Sequence, residues 1–306
     1  MSIRSLNLDS MFVPTSTTEI EFEMIKFPGG ELHIKLNKCI DYNTVEKVVI
    51  TNRIKDGDDI MKILIAKNAL EQYGIKVFDL IIPYIPYARQ DRAEIEGESF
   101  TLKVFANLIN AANFNKVIVF DAHSDVAPAL INNCSNVKNH EYVFSCLRNI
   151  VYSAYRGGFI AQDKFIKSGE IVLISPDSGA NKKINKLQTY IQERVGIESC
   201  LLQVVKCDKK RNMSDGTLSG FEVMTENLDG KICVIIDDIC SRGGTFMGLT
   251  SELKKKNAGD IYLIVSHYEN SADEQKLKDA GITKVYKTNS MNDHKSNLII
   301  NSILNF

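Results

Sequence analysis

Seven short apolar runs rich in β-branched residues recur along this chain of 306 residues, with longer helix-like stretches between them. The runs are Lys47–Thr51, Phe78–Pro83, Val117–Asp121, Ile171–Ser175, Leu201–Val205, Ile232–Asp237 and Ile261–Val265. The helical patterns include Asp59–Tyr73, Thr101–Asn113, Lys182–Arg194 and Thr245–Lys256. A strand that is apolar on both faces must be covered on both, which parallel sheets flanked by helices achieve. The order of segments therefore predicts an α/β protein.

The chain also echoes itself. VIVFDAHS (Val117–Ser124) and VIIDDICS (Val234–Ser241) are both apolar strands that end in aspartate at a strand-to-loop switch. Any buried strand can end in aspartate, so the echo is a weak sign of two similar halves. The division it suggests is 1–140 and 141–290, with a C-terminal segment 291–306, helical over Ser296–Phe306, returning to the first half. No Pro/Gly-rich linker marks the boundary, and the polar tract Gly157–Gly169 reads as a surface excursion.

Composition narrows the setting. A net charge of −1 gives no field that would recruit nucleic acid or an anionic membrane. Seven scattered cysteines without a C-x-x-C pair favour reduced thiols over a disulfide framework or a zinc site. No apolar run approaches a membrane span, and the N-terminus lacks the apolar core of a signal peptide. A cytoplasmic protein with neither nucleic-acid nor membrane partners is expected.

The chemistry concentrates in VIIDDICSRGGT, Val234–Thr245. Two adjacent carboxylates at the end of a buried strand are costly unless a cation or a polyhydroxylated ligand sits against them. In open α/β sheets that position is where ligands bind. Ser241, Arg242, Gly243, Gly244 and Thr245 then offer backbone N–H groups at a helix start, a cradle for phosphate. Asp237 and Asp238 with such a cradle fit a phosphosugar. Either pair alone, DD or GG, would more often be an acidic strand end with a glycine turn.

This twelve-residue string resembles the phosphoribosyl-binding signature of the type I phosphoribosyltransferase fold. Further segments narrow the resemblance to the ribose-phosphate diphosphokinases, or phosphoribosyl diphosphate (PRPP) synthetases. These are FPGGELHI (Phe27–Ile34), PYIPYARQDR (Pro83–Arg92), FDAHS, SPDSGANKK (Ser175–Lys183) and CDKKRN (Cys207–Asn212), spread in order over most of the chain. The resemblance implies two phosphoribosyltransferase-like domains and transfer of the β,γ-diphosphate of Mg-ATP to the anomeric hydroxyl of ribose 5-phosphate, with AMP released. It assigns ATP to Phe27, Glu31, Arg89 and Gln90, and catalysis to Lys209 and Arg211 in a mobile segment, Asp208–Gly220, with His123. It assigns Mg2+ to His123 and Asp177, and homo-oligomers, dimers or hexamers, to the assembly. On the residues alone, the PYARQDR arginines could be a surface ion-pair cluster, Phe27–Glu31 an ordinary turn, the lysine/arginine run a solvated face and His123 a structural histidine.

Departures from the family's pattern are specific. The family usually has Asp-Thr where Ser241-Arg242 stands, and Asp-Gly-Glu where Gly29-Gly30-Glu31 stands. Ala93–Glu98 is acidic where the family is usually basic, and Asp125–Leu130 does not match. A cation at Arg242 could pair with a second phosphate, which makes ADP-ribose an alternative acceptor, with use in NAD salvage. Arg242 facing solvent or pairing with a nearby acid is the bland alternative. A phosphoribosyltransferase that consumes PRPP and a non-catalytic regulator of a true synthetase are the other readings. The first lacks a visible base-recognition element, and the second predicts loss of Lys209, Arg211 or His123, all of which are present.

Overall fold

The computed structural model describes residues 2–14, 19–38, 40–155, 168–195, 202–211 and 218–293. The expected C-terminal helix, most of the 157–169 tract and residues 212–217 of the predicted mobile segment lie outside them. The described chain separates into two compact units; the first runs to Lys138 and takes the chain back at Asn289, and the second is Asn139–Thr288.

The first unit is built on five parallel strands in the order β1-β4-β5-β6-β7, namely β1 Ser2–Asn7, β4 Val45–Thr51, β5 Val77–Ile81, β6 Lys116–Phe120 and β7 Cys134–Val137. The crossovers are α1 Gly57–Glu71, α2 Thr101–Ala111 and α3 Val126–Leu130. Helix α1 starts where the Asp56 carboxylate accepts from the Asp59 N–H at 3.1 Å, with two acids in a first turn that favours negative charge. Sheet residues such as Val48, Leu80 and Val119 are buried with Ile63 of α1 and Phe105 of α2 in one apolar core. An antiparallel hairpin, β2 Phe22–Lys26 and β3 Leu32–Leu36, stands apart from the sheet's hydrogen-bond ladder.

One buried cation ties this unit's ends. Arg53, 2% exposed, donates from Nε to Asp9 at 2.6 Å, from Nη2 to Asp293 at 2.6 Å and from Nη1 to the Asn289 carbonyl at 3.1 Å. Its guanidinium also lies 5.5 Å from the Phe12 ring centroid. Burying a guanidinium requires this degree of pairing.

The second unit carries six strands in the order β10-β9-β8-β11-β12-β13. They are β8 Ile171–Ser175, β9 Gln203–Arg211, β10 Leu218–Val223, β11 Ile232–Cys240, β12 Ile261–Tyr268 and β13 Lys284–Tyr286. All neighbours are parallel except β9 and β10. Helices α4 His140–Tyr155, α5 Asn181–Val195, α6 Gly244–Lys255 and α7 Glu274–Asp279 complete it. Every residue of β8 and β12 is buried, as strands covered on both faces require. Four of the described cysteines are packed inside this unit, where burial pushes the thiols of Cys207, Cys233 and Cys240 up to about 12 and raises that of Cys146 as well. All the described cysteines are free.

Two sequence expectations need correction. The strand placed at Leu201–Val205 begins at Gln203 and continues to Arg211, so Asp208–Arg211 is strand backbone rather than loop. Leu218–Gly220, at the far end of the same predicted mobile segment, belongs to β10, with Lys209 opposite Phe221 and Arg211 opposite Leu218. The antiparallel partner extends β9 beyond its apolar stretch by supplying ladder hydrogen bonds to charged residues.

Candidate functional site

In the second sheet the chain moves outward from β8 through β9 and β10, then crosses back to lay β11 on the other side of β8. Such a reversal opens a crevice at the strands' carboxyl ends, because the flanking connections leave in opposite directions. Both strands at the reversal end in carboxylates: Asp177 follows β8, and Asp237 and Asp238 close the apolar part of β11.

The carboxylates are held under strain of charge. Asp238 is 6% exposed, and its N–H donates to Asp237 Oδ1 at 2.8 Å. Burial first, then the neighbouring Asp238 and the charge of Asp177, push the Asp237 carboxyl well above the usual carboxylate range. Asp177 accepts from the Ala180 N–H at 3.1 Å, which fixes the turn into α5. Three carboxylates in mutual electrostatic reach favour a ligand that brings positive charge or hydroxyl donors, and oxygen donors of this kind suit Mg2+. Among the described residues no group of three or more His, Cys, Asp or Glu has ligand geometry for a metal. That arrangement is compatible with Mg2+, which commonly takes one or two protein carboxylates with waters and substrate phosphates.

The turn after β11 is shaped by glycine. Gly243 has φ +79, and a Cβ there would lie 2.9 Å from Leu277 Cδ2 of α7. Only glycine meets both conditions without strain. Gly244 opens α6, so the first N–H groups of that helix lack intrahelical acceptors, and no side chain caps them. Arg242 is exposed and forms no ion pair with any described residue. Ser241 donates its hydroxyl to Glu269 Oε2 at 2.5 Å, and Glu269 lies one residue past β12.

The first unit gathers a second group of motifs. PYARQDR follows β5 and FDAHS follows β6, and these strands are parallel neighbours. Tyr87 (φ +62) and Asp121 (φ +42) both adopt the left-handed region, a cost that a surrounding structure must hold in place. Asp91 joins the two loops. Arg92 grips its carboxylate with Nε at 2.8 Å and Nη2 at 3.3 Å. That bond, with a hydrogen bond from Ser124 and the charge of His123, outweighs burial and holds the Asp91 carboxyl below its usual range. Arg89 and Gln90 are exposed on the same loop, and His123 is half-buried.

Phe27 and Glu31 lie on another element, the tip of the β2–β3 hairpin. The Phe27 N–H donates to the Glu31 carbonyl, the Gly30 N–H donates to the Phe27 carbonyl, both at 2.8 Å, and Gly30 has φ +93. Phe27 is 47% exposed, with its ring 6.2 Å from that of His33. Lys209 and Arg211 fall on the part of β9 that pairs with β10, beyond its ladder with β8, where the backbone alone is described. Sequence reasoning did not single out Asp91 or Glu269. Glu269 comes four residues after the apolar run Ile261–Val265, behind Ser266, His267 and Tyr268, so no local signal marked it.

The family models match in two pieces. The N-terminal domain of ribose phosphate pyrophosphokinase matches residues 12–112, and the phosphoribosyl transferase domain matches residues 153–297. Among curated proteins, the ribose-phosphate pyrophosphokinase of Fusobacterium nucleatum is 28% identical over 80% of this chain and 70% of its own length. That of Listeria ivanovii is 27% identical over 95% and 85%. The crystal structure of phosphoribosylpyrophosphate synthetase from Mycobacterium smegmatis superimposes with a TM-score of 0.77 at 18% identity, covering 99% of this chain and 96% of that one. At that identity the superposition speaks for the fold.

Proposed function

Because the chain belongs to the ribose-phosphate pyrophosphokinase family, a family of diphosphotransferases, we propose that it transfers the β,γ-diphosphate of ATP to the anomeric hydroxyl of ribose 5-phosphate and releases AMP. The observation that carries this reading is the pair Asp237 and Asp238 followed by a glycine turn at the chain reversal of the second sheet. Asp237 and Asp238 accept from the pentose hydroxyls and fix the ring. The N–H groups of Gly243–Thr245 and the Thr245 hydroxyl hold the 5-phosphate, with Arg242 at its rim.

ATP is held by Arg89 and Gln90, with Phe27 against the base and Glu31 accepting from an amino group or hydroxyl. The acceptor oxygen forms a bond to the β-phosphorus, and the bond from that phosphorus to the α,β-bridging oxygen breaks, leaving AMP. Lys209 and Arg211 offset the charge that spreads over the transferring group, the largest kind of catalytic contribution in such reactions. Asp177 and His123 would hold Mg2+, and Asp91 keeps the His123 loop in place. Bound there, Mg2+ supplies neutralisation of the phosphate charge.

No described helix is long and apolar enough to cross a membrane. A homo-oligomer at work in the cytoplasm belongs to the same reading, as the family resemblance implies for the assembly and the cysteine usage for the compartment. Arg242 favours a second acceptor. An exposed guanidinium without an ion pair among the described residues, beside a phosphate cradle, suits a 5-linked diphosphate, as in ADP-ribose. Mass spectrometry of products from ATP, Mg2+ and each acceptor decides. AMP that appears only with ribose 5-phosphate or ADP-ribose, matched by that acceptor gaining a diphosphate, is the expected result. Diphosphate release on adding a base would point to a phosphoribosyltransferase, and no AMP with any acceptor to a non-catalytic protein.

A further inference from the structure

Ser241 and Glu269 stand side by side because their strands do. Cys240 of β11 is in register with Tyr268 of β12, and each chain continues by one residue beyond that pair. The Glu269 N–H donates to the Cys240 carbonyl at 2.9 Å, which locks the two strand ends together. The Glu269 carboxylate then accepts from Ser241 Oγ at 2.5 Å and from Ser271 Oγ at 3.1 Å. Both Ser241 and Glu269 are half-buried.

The direction of that hydrogen bond matters. A carboxylate only accepts, so the serine hydroxyl must spend its one proton on Glu269. Ser241 Oγ is left with lone pairs, and a lone pair cannot bind a phosphate oxygen. It can accept from a hydroxyl. Ser241 is therefore a poor phosphate ligand in this arrangement, and the pair acts as one extended acceptor. The family pattern usually has aspartate where Ser241 stands, so an acid missing from the turn of β11 is present instead at the end of β12.

We propose that Glu269, acting through Ser241, is the third acid of the acceptor site: a positioning residue that makes the Ser241 oxygen an acceptor for a pentose hydroxyl, while phosphate is left to the N–H groups that follow. This rests on the diphosphotransfer reading and adds a residue to its acceptor side.

An acid relocated from one strand end to its neighbour can be moved back. Glu269→Gln keeps the length and removes the charge. Ser241→Asp restores an acid to the turn, but with Glu269 present it sets two like charges in contact. The double variant Ser241→Asp/Glu269→Gln again has one acid and one donor. Steady-state kinetics with ribose 5-phosphate and, separately, ADP-ribose should show each single variant raising acceptor KM about tenfold or more, the scale of losing a hydrogen bond to a charged group. KM for ATP and half-saturation by Mg2+ should stay within about twofold, and the double variant should return close to the unmutated enzyme, the sign-reversing coupling expected of direct contact. Calorimetric Kd for the acceptor on the same four proteins gives the same comparison without turnover, and thermal melts identify any variant that fails to fold. A double variant no better than its worse parent, or a change confined to Mg2+ half-saturation, overturns the proposal. Absence of acceptor-dependent AMP from the unmutated enzyme would instead be a failure of the diphosphotransfer reading, and the calorimetric comparison would still decide this one.

Discussion

Gly243 illustrates how narrowly one residue can be specified. Its φ of +79 and the Leu277 methyl 2.9 Å from a would-be Cβ both exclude a side chain. An L-residue in that backbone region costs roughly 1–2 kcal/mol, so Gly243→Ala should raise acceptor KM by about tenfold through a displaced turn. Lys209 makes the opposite prediction. If it meets the transferring group only as charge develops, Lys209→Ala should lower kcat by about 10²–10³ and leave acceptor KM nearly unchanged. Single-turnover and steady-state rates separate the two; an effect on KM alone would remove Lys209 from the chemical step. The candidates legible in the sequence were contiguous ones, such as Asp237, Asp238 and the glycine pair. Glu269 and Asp91 stand out only through contacts across neighbouring strand ends, and no local pattern encodes those.

At the scale of elements, the sequence was clearest where physics leaves least choice. Runs such as IYLIV must be buried on both faces, and β12 is buried throughout. The edges were illegible for the same reason. β1 has only Ile3 and Leu6 among polar residues, β7 is a four-residue strand of intermediate exposure, and β10 contains Gly220, so none of them has the continuous apolar signature. The buried Arg53 cluster sets the stability of one element pair. Removing one partner of a buried, paired charge costs about 3–5 kcal/mol, and Arg53→Met should destabilise the first unit on that scale in chemical denaturation. Burial raises the Asp9 carboxyl, but hydrogen bonding and charge from Arg53 hold it below its usual value. A depressed carboxylate stabilises the fold above its unfolded pKa, and that contribution fades as pH falls through the folded value. The unmutated protein should thus lose stability below about pH 4 more steeply than Arg53→Met. Parallel pH profiles for the two proteins would contradict this assignment.

For the whole molecule, the two units share a parallel α/β plan but differ in the order of their strands. Only the second sheet reverses its strand order, and the paired acids and glycine turn lie at that reversal. The first sheet instead carries PYARQDR and FDAHS on neighbouring strand ends. Light scattering at micromolar concentration should find a dimer or hexamer, and a monomer that retains full activity would separate catalysis from assembly. The most direct test of the reaction itself follows oxygen at C1. If the anomeric hydroxyl attacks the β-phosphorus, then ribose 5-phosphate labelled with 18O at C1 must retain that label as the bridge between sugar and diphosphate. Mass spectrometry of the isolated sugar diphosphate after a short incubation should find the label between C1 and phosphorus. Loss of the label from the sugar, beyond the exchange seen without enzyme, would mean that the C1–O bond breaks and would contradict diphosphoryl transfer.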